Sequence, residues 1–451
     1  MNLLYFSGQI IYAALVLFFF IFVLFSLIEK EYRALYRSLA VFLFLVILPV
    51  LFYFFLSSIL VMFFVVILTL SIIFMVVIFL SPPPKGQLQI VSDQARIDER
   101  DIIFARFDLK ENSPEYNAYY RNRPEYKAGD DQIRRLPDLF EPQHIQKDPV
   151  LMSLGDAEFE FLEHQMTIVD GEIGSEKIIQ SEENNNHMIR SILRYLGSDD
   201  CGFCRLDSFD IYSHVGRGPE KYGSEVKNTH KYGISFIIKM DFDMIRHAPR
   251  PPVIVETAKQ YVEAAKISVI LAAFIRRLGY SARANIAGSN YQTIMVPFAW
   301  KAGLGEMGRM GILIHPEFGP CIRIGLVTTD LPLIIDKPIV FGVQDFCEKC
   351  KKCANNCPAD AIPQGDKIKE NGVLKWVINR EKCYKYWRKV GTDCSTCIFV
   401  CPYSKPDNLF HNMVRNLATH FSAAQSFFVR GDDFFYGKKP DIRKKPHPFQ
   451  K

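Results

Sequence analysis

Cys347-Glu-Lys-Cys350-Lys-Lys-Cys353-Ala-Asn-Asn-Cys357-Pro358 is followed by a lone Cys383 and then by Cys394-Ser-Thr-Cys397-Ile-Phe-Val-Cys401-Pro402. These two runs hold eight of the eleven cysteines of the chain. The first has the spacing in which three close thiolates hold one iron–sulfur cluster while the Cys before Pro ligates its neighbour. By that rule Cys347, Cys350, Cys353 and Cys401 hold one [4Fe–4S] cluster, and Cys357, Cys383, Cys394 and Cys397 hold a second. Ten residues separate Cys383 from Cys394, where a bacterial ferredoxin has two. The pattern predicts a ferredoxin-like domain that conducts electrons.

A zinc site would need four ligands in two separated pairs, and the crossed ligand count with a second Cys-Pro fits two cubanes instead. Disulfides are disfavoured by thiols this crowded in a chain read as having no exported domain. Cys201, Cys204 and Cys321 remain. Cys201-Gly-Phe-Cys204 is a CxxC without a second pair, and reads as two small buried residues at a strand edge.

The 451 residues allow two or three domains, and the net charge of +5 is mild. A basic tail, Lys438-Lys439 and Arg443-Lys444-Lys445, suits a membrane surface or plain solvation as well as nucleic acid. The apolar fraction of 49% is concentrated near the N-terminus. Ile10–Ile28 carries no charge, and Leu39–Leu80 is long enough for two further spans with a tight turn at Ser57-Ser58. Three transmembrane helices are therefore expected over residues 1–81. Lys30, Arg33 and Arg37 in the first loop, with Lys85 after the third span, place the N-terminus outside and everything after Ser81 in the cytoplasm. A cleaved signal peptide is a poor reading of the first span, because its start lacks a positive charge and a twin-arginine motif.

Pro82-Pro83-Pro84 makes a stiff extended linker, and residues 82–184 read as a linker and irregular segment, Tyr-rich and Pro-dotted, that wraps the core. From residue 185 to 340 the pattern is α/β: a helix through Met188–Leu196, strands at Gly202–Leu206 and Ile234–Met240, and a long helix over Glu256–Leu278 stopped by Gly279. In that helix Ala258, Tyr261, Ala265, Ser268, Ala272 and Ile275 recur at three and four. The small residues face either a sheet or something flat and closely packed, whereas Tyr261 needs a partner for its hydroxyl. Ala302–Gly311 is glycine-rich and precedes the strand Ile312–Ile314. Its glycines permit close backbone approach to a large ligand, although no Walker or dinucleotide motif surrounds it. Arg323 leads into the strand Ile324–Thr328 and suits an anionic ligand or a surface acid. Residues 341–406 are the cluster domain, and 407–451 a C-terminal tail expected to pack on the core.

Taken in order, Phe274-Ile-Arg-Arg-Leu-Gly-Tyr280, Gly303-Leu-Gly-Glu-Met-Gly-Arg309, Pro316-Glu-Phe-Gly-Pro320, Thr328-Thr-Asp-Leu-Pro-Leu333, Asp336-Lys-Pro338 and Phe346-Cys347 resemble the cobalamin-dependent reductive dehalogenase family. So do Val400-Cys-Pro-Tyr-Ser-Lys-Pro406 and Asp432-Asp433-Phe-Phe-Tyr-Gly437. The resemblance runs over roughly residues 185 to 440. It implies a nitroreductase-like core holding base-off cobalamin, two [4Fe–4S] clusters, an organohalide substrate, no nucleic acid, and cleavage of a carbon–halogen bond by two electrons and a proton. The donor would be ferredoxin, flavodoxin or quinol-linked. Tyr261 matches the family's proton donor, Arg323 its supporting arginine, and Asn290 a third catalytic residue. Gly303, Leu304, Gly305, Arg309, Met310 and Gly311 are expected to contact the cofactor. Usual respiratory members have a twin-arginine leader and a separate anchor, whereas here the spans are fused. A membrane-anchored, multi-pass variant in contact with lipid follows, its catalytic domain in the cytoplasm. The alternatives are an epoxyqueuosine-reductase-like enzyme or a membrane electron-transfer subunit.

Overall fold

A computed structural model describes residues 2–55, 66, 68–73, 76, 80–288, 290–439 and 441. The principal helices are α1 (Asn2–Ile28), α2 (Tyr32–Phe55), α3 (Pro149–His164), α4 (Pro252–Arg277), α5 (Arg380–Val390), α6 (Leu409–His420) and α7 (Ser422–Phe435). The main sheet holds β1 (Asp200–Arg205), β2 (Tyr232–Lys239), β3 (Ala282–Asn285) and β4 (Ile322–Thr329). The chain divides into two units. One holds Met1–Gly86, Asp345–Cys350 and Pro406–Asp441, the other Gln87–Gln344 and Lys351–Lys405.

In the second unit the sheet order is β1-β2-β4-β3, every pair antiparallel. Strand β2 is buried on both faces, because its side chains alternate. Ile234, Phe236 and Ile238 join Ala265, Leu271 and Ala272 of α4 in one core. Ile237 joins Phe298 and Ala299, from the short helix Met295–Lys301, in the core on the other side. The small-residue stripe of α4 therefore serves close packing on the sheet. Gly325 of β4 belongs to the same fit, since a Cβ there would stand 2.0 Å from the Phe236 ring. Gly279 ends α4 with φ +84°, and a Cβ would come within 2.4 Å of the Glu176 carbonyl.

Residues 82–184, expected to be irregular, are largely helical. Pro114, Pro124, Pro142 and Pro149 each sit in the first turn of a helix, where proline's missing N–H costs nothing. Ser113 and Asp148 cap two of them by accepting from the backbone N–H of Tyr116 and Leu151. The tyrosines form a packed, satisfied cluster: Tyr116, Tyr119 and Tyr120 donate to Asp131, Asp101 and Asp130 at 2.7, 3.1 and 2.9 Å.

Helix α3 of this segment packs along α4 and brings Glu158 toward Glu256. Burial, and then the charge of Glu256, pushes Glu158 up to about 7, and its Oε2 is buried without a partner. The folded state thus holds a proton that the unfolded chain releases near 4.5. Stability from this group is present below that value and lost as pH rises through about 7. Glu158→Gln is expected to melt higher than the parent at pH 8 and equally at pH 4, as melting curves at the two values would show.

In the first unit α1 lies against α2 and the two helices after residue 406. Phe22, 4% exposed, sits between Phe410 and Phe435 with ring centroids 4.7 Å from each. Just after α1, the Glu29 side chain accepts from Asn408 at 2.5 Å and pairs with His411 at 3.1 Å. Arg33 and Arg37 donate to the carbonyls of Tyr436 and Phe434 at the end of α7, where a helix favours cations. Among the described residues no helix is long and apolar enough to cross a membrane. The expected three-span domain and the multi-pass location with a cytoplasm-facing catalytic part are corrected accordingly. Apolar sequence also suits helices packed among helices, and two of the cations read as topology signals, Arg33 and Arg37, are helix-end partners. The turn at Ser57-Ser58 and much of the expected third span lie outside the described residues.

Candidate functional site

A cavity of about 1080 Å³ opens in the second unit, walled by α4, β4, the segment 310–313, α5 and the loop carrying Cys394 and Cys397. The geometry follows from two periodicities. Thr257 and Tyr261 are four apart on α4, so they share a helix face. Arg323 stands on the same side of β4 as Gly325 and Val327, the side packed on α4, since successive strand residues alternate. All three line the cavity. The Arg323 guanidinium lies 5.0 Å from the Tyr261 ring centroid, donates to Thr257 Oγ1 at 2.6 Å, and pairs with Asp393 at 3.3 Å. Thr257 in turn donates to Asp393 Oδ2 at 2.6 Å. The Tyr261 hydroxyl, in the cavity wall, makes no hydrogen bond to protein among the described residues.

Asp393 is 7% exposed. Burial pushes its carboxyl up while Arg323 pulls it back, and Oδ1 is buried without a protein partner. Cys357, Cys383, Cys394 and Cys397 line the same cavity. Burial, then the neighbouring thiols of Cys394 and Cys357, pushes Cys383 up to about 12. Cys397 is raised by burial and by Cys394, Cys353, Cys383 and Cys357 in turn. Cys383, Cys394 and Cys397 are each held toward the thiol form by burial and by neighbouring thiols, and bound cationic metal would favour their thiolates. Among the described residues no three Cys, His, Asp or Glu side chains converge on one ion; a cubane spreads its thiolates over separate irons. Cys347 and Cys350 belong to the first unit and Cys353 and Cys401 to the second.

Residues 346–405 match the family described as a 4Fe-4S dicluster domain. Over 309 residues the chain is 33% identical to a tetrachloroethene reductive dehalogenase of Desulfitobacterium hafniense, covering 58% of this chain and 55% of that protein. Over 225 residues it is 38% identical to the tetrachloroethene reductive dehalogenase of Sulfurospirillum multivorans, covering 48% and 44%. The chain thus spans about half the length of the curated relatives it matches. The solved catabolic reductive dehalogenase NpRdhA superposes with a TM-score of 0.64 at 24% identity, over 80% of this chain and 49% of that one. The fold is that of the reductive dehalogenases. A further structure of NpRdhA is described in complex with 3-bromo-4-hydroxybenzoic acid.

Within this dehalogenase fold the residues singled out from sequence separate into two groups. Tyr261, Arg323 and Met310 line the cavity together with the four cysteines. Asn290 does not. It is buried, donates to the Met166 carbonyl at 2.7 Å and accepts from Arg283, while its neighbours Gly288 and Tyr291 face the cavity. Gly303, Leu304, Gly305, Arg309 and Gly311 are also outside the cavity wall. A Cβ on Gly305 would meet the Ile314 carbonyl at 2.3 Å and one on Gly303 the Lys337 carbonyl at 2.6 Å, so these glycines serve chain-to-chain packing. Arg309 is buried, donates to the carbonyls of Pro363 and Gly365 at 2.9 Å, and lies over Trp376. Cys201 and Cys204 lie on β1, where burial pushes Cys201 up to about 11 and Cys204 further, as for unreactive thiols.

Thr257, Asp393 and Arg217 were not singled out from sequence. Thr257 stands one turn before Tyr261 on the helix already identified, and Asp393 directly precedes a cysteine; either position was a usable signal. Arg217 had none. It is held between Glu99 at 3.4 Å and the Gly288 carbonyl at 2.8 Å, and bonds to Tyr291, by contacts far apart in the chain.

Proposed function

We propose that the chain is a reductive dehalogenase that replaces the halogen of an organohalide by hydrogen, consuming two electrons and one proton and releasing halide. The observation that carries this reading is one cavity whose wall joins a hydroxyl-free-standing Tyr261 beside Arg323 to four cysteines of cluster spacing. Cys357, Cys383, Cys394 and Cys397 would hold one [4Fe–4S] cluster at the cavity, and Cys347, Cys350, Cys353 and Cys401 the other, fed by a one-electron donor such as ferredoxin or flavodoxin.

The residues fit a corrinoid. The volume lies just above the ~300–1,000 Å³ usual for ligand sites, which suits a macrocycle with a small substrate. When bound, the corrinoid supplies a reduced cobalt with reactivity toward carbon–halogen bonds that side chains lack. Met310, Ile312 and Leu313 wall the space with apolar surface that excludes water. Tyr261 gives its hydroxyl proton to the substrate carbon, and the guanidinium over its ring stabilises the negative charge left on the phenol oxygen.

Asp138, Glu141, Asp156, Glu160 and Glu163 line the cavity and are exposed, so its rim is negative and repels anions. An uncharged organohalide is therefore the preferred substrate. Protein loaded anaerobically with iron, sulfide and cobalamin and reduced by a viologen is expected to release chloride from tetrachloroethene, and bromide from 3-bromo-4-hydroxybenzoate more slowly. Loaded protein that frees halide from neither these nor a panel of uncharged bromo- and chloro-aromatics would end this reading.

A further inference from the structure

We infer that Asp393 is a positioning residue, which fixes Arg323 over Tyr261 and ties that pair to the loop that begins at Cys394. The inference rests on the proposed function and names a further residue for it.

The cysteine pattern raised a question that the clusters themselves leave open: why ten residues lie between Cys383 and Cys394 where a plain ferredoxin has two. The intervening chain completes α5, ends it at Gly391 with φ +79°, and then delivers Asp393 to the cavity wall. Cys394 and Ser395 follow with φ of +55° and +48°. Two successive non-glycine residues in the left-handed region are strained and persist only where surrounding contacts hold them. Here the contacts centre on Asp393: Ser395 N–H donates to its carbonyl at 2.6 Å, and Ser395 Oγ to its Oδ2 at 3.2 Å. Thr392 anchors the other side, its hydroxyl donating to the Pro249 carbonyl at 3.0 Å and accepting from Cys394 N–H at 3.3 Å.

The outcome is a reversal of the chain at Cys394. Oδ2 of Asp393 receives Thr257 from α4 and Arg323 from β4 on one side of the turn, while Cys394 faces the other cysteines. An arginine has several rotatable bonds, and one above an open cavity needs partners to stay over a ring. One nitrogen of its guanidinium contacts Met240 Sδ and the Ile322 carbonyl at 3.2 and 3.3 Å, and the other is held by Thr257 and Asp393. Asp393 is its charged partner and also holds Thr257, so the carboxylate is the hub of the arrangement. The insert thus joins the electron-carrying loop to the proton-donating pair through a single side chain.

The test is a double-mutant cycle on the loaded, full-length enzyme with Asp393→Asn, Arg323→Gln and the pair combined. Each single variant is expected to lower kcat about 10²-fold, the scale of a misplaced catalytic group, with little change in KM. The combined variant should lose no more than Arg323→Gln alone, because Asp393 acts through Arg323. Iron should stay at about eight per chain. Thr257→Val, which leaves the cysteine loop intact, should lower kcat in the same way and covers the case in which Asp393→Asn folds poorly. The same cycle read as melting temperature needs no turnover and should also be non-additive. Additive losses in melting, or Asp393→Asn turning over at the parental rate, would overturn the tie. Loss of iron from Asp393→Asn with the parental rate per remaining iron would make the residue a support of the cluster loop alone and equally overturn the tie. Non-additive melting with no halide released by the parent would strike the proposed function and leave the tie standing.

Discussion

Tyr261→Phe is expected to cut halide release about 10²–10⁴-fold, the usual cost of a lost general acid, while iron, cobalt and folding stay at parental levels. That range corresponds to about 2.7–5.5 kcal/mol of transition-state stabilisation. The substitution isolates the hydroxyl because everything else about the ring is kept. The phenylalanine ring still lies under the Arg323 guanidinium, a contact that depends on the π face and not on the oxygen. It also keeps the packing on Phe159, whose ring centroid is 6.5 Å away. A core tyrosine would have its hydroxyl bonded to a backbone carbonyl, and Phe would then cost stability. Among the described residues Tyr261 has no such partner, so the stability cost should be small and the kinetic cost large. The measurement is single-turnover halide release with metal content determined on the same sample. Turnover near the parental rate would mean that the proton comes from elsewhere.

The parts of this site that the sequence disclosed are those set by local spacing. The cysteines are read from their intervals, and helix α4 from its three-and-four periodicity, with Gly279 as its stop. Strand β4 was expected at Ile324–Thr328 and runs Ile322–Thr329. Tyr261 stood out as a phenol on an otherwise small-residue face, and Arg323 as a cation close after the glycine-rich stretch. What escaped depends on contacts distant in sequence or on ambiguity of composition. Asn290 and the glycine-rich stretch read as ligand contacts, yet the close approach those glycines permit is to the chain's own carbonyls at Ile314 and Lys337. A glycine states that something comes near, not what. The segment 82–184 looked irregular because its helices are short and carry few periodic apolar positions, and their starts were marked by prolines that also mark loops. At the N-terminus, apolar residues of α1 that suggested lipid pack on Phe410 and Phe435, aromatic partners almost the whole chain away. Asp393 was visible in the sequence, but only the fold brings β4 and α4 to it.

Cys383→Ala is expected to remove about four of about eight irons per chain and to abolish halide release. Of the eight assigned ligands, Cys383 is the one whose place in the pattern is least regular, so it tests the assignment most severely. It lies on α5, lines the cavity with Cys357, Cys394 and Cys397, and its thiol is driven up to about 12 by burial and by those neighbours. A thiol in that setting gains nothing as a structural group, since it sits among others that resist ionisation; shared iron removes the conflict by stabilising all four thiolates. The three thiolates left by the alanine would not retain the cluster, and electrons could no longer reach the cavity at that wall. The other four cysteines are untouched, so half of the iron should remain and give a [4Fe–4S] spectrum of its own. Cys204→Ala, on β1 and away from the cavity, is the control and should keep all the iron and the parental rate. Full iron in Cys383→Ala would remove that residue from the ligand set, and zinc with little iron in the parent protein would remove the clusters altogether.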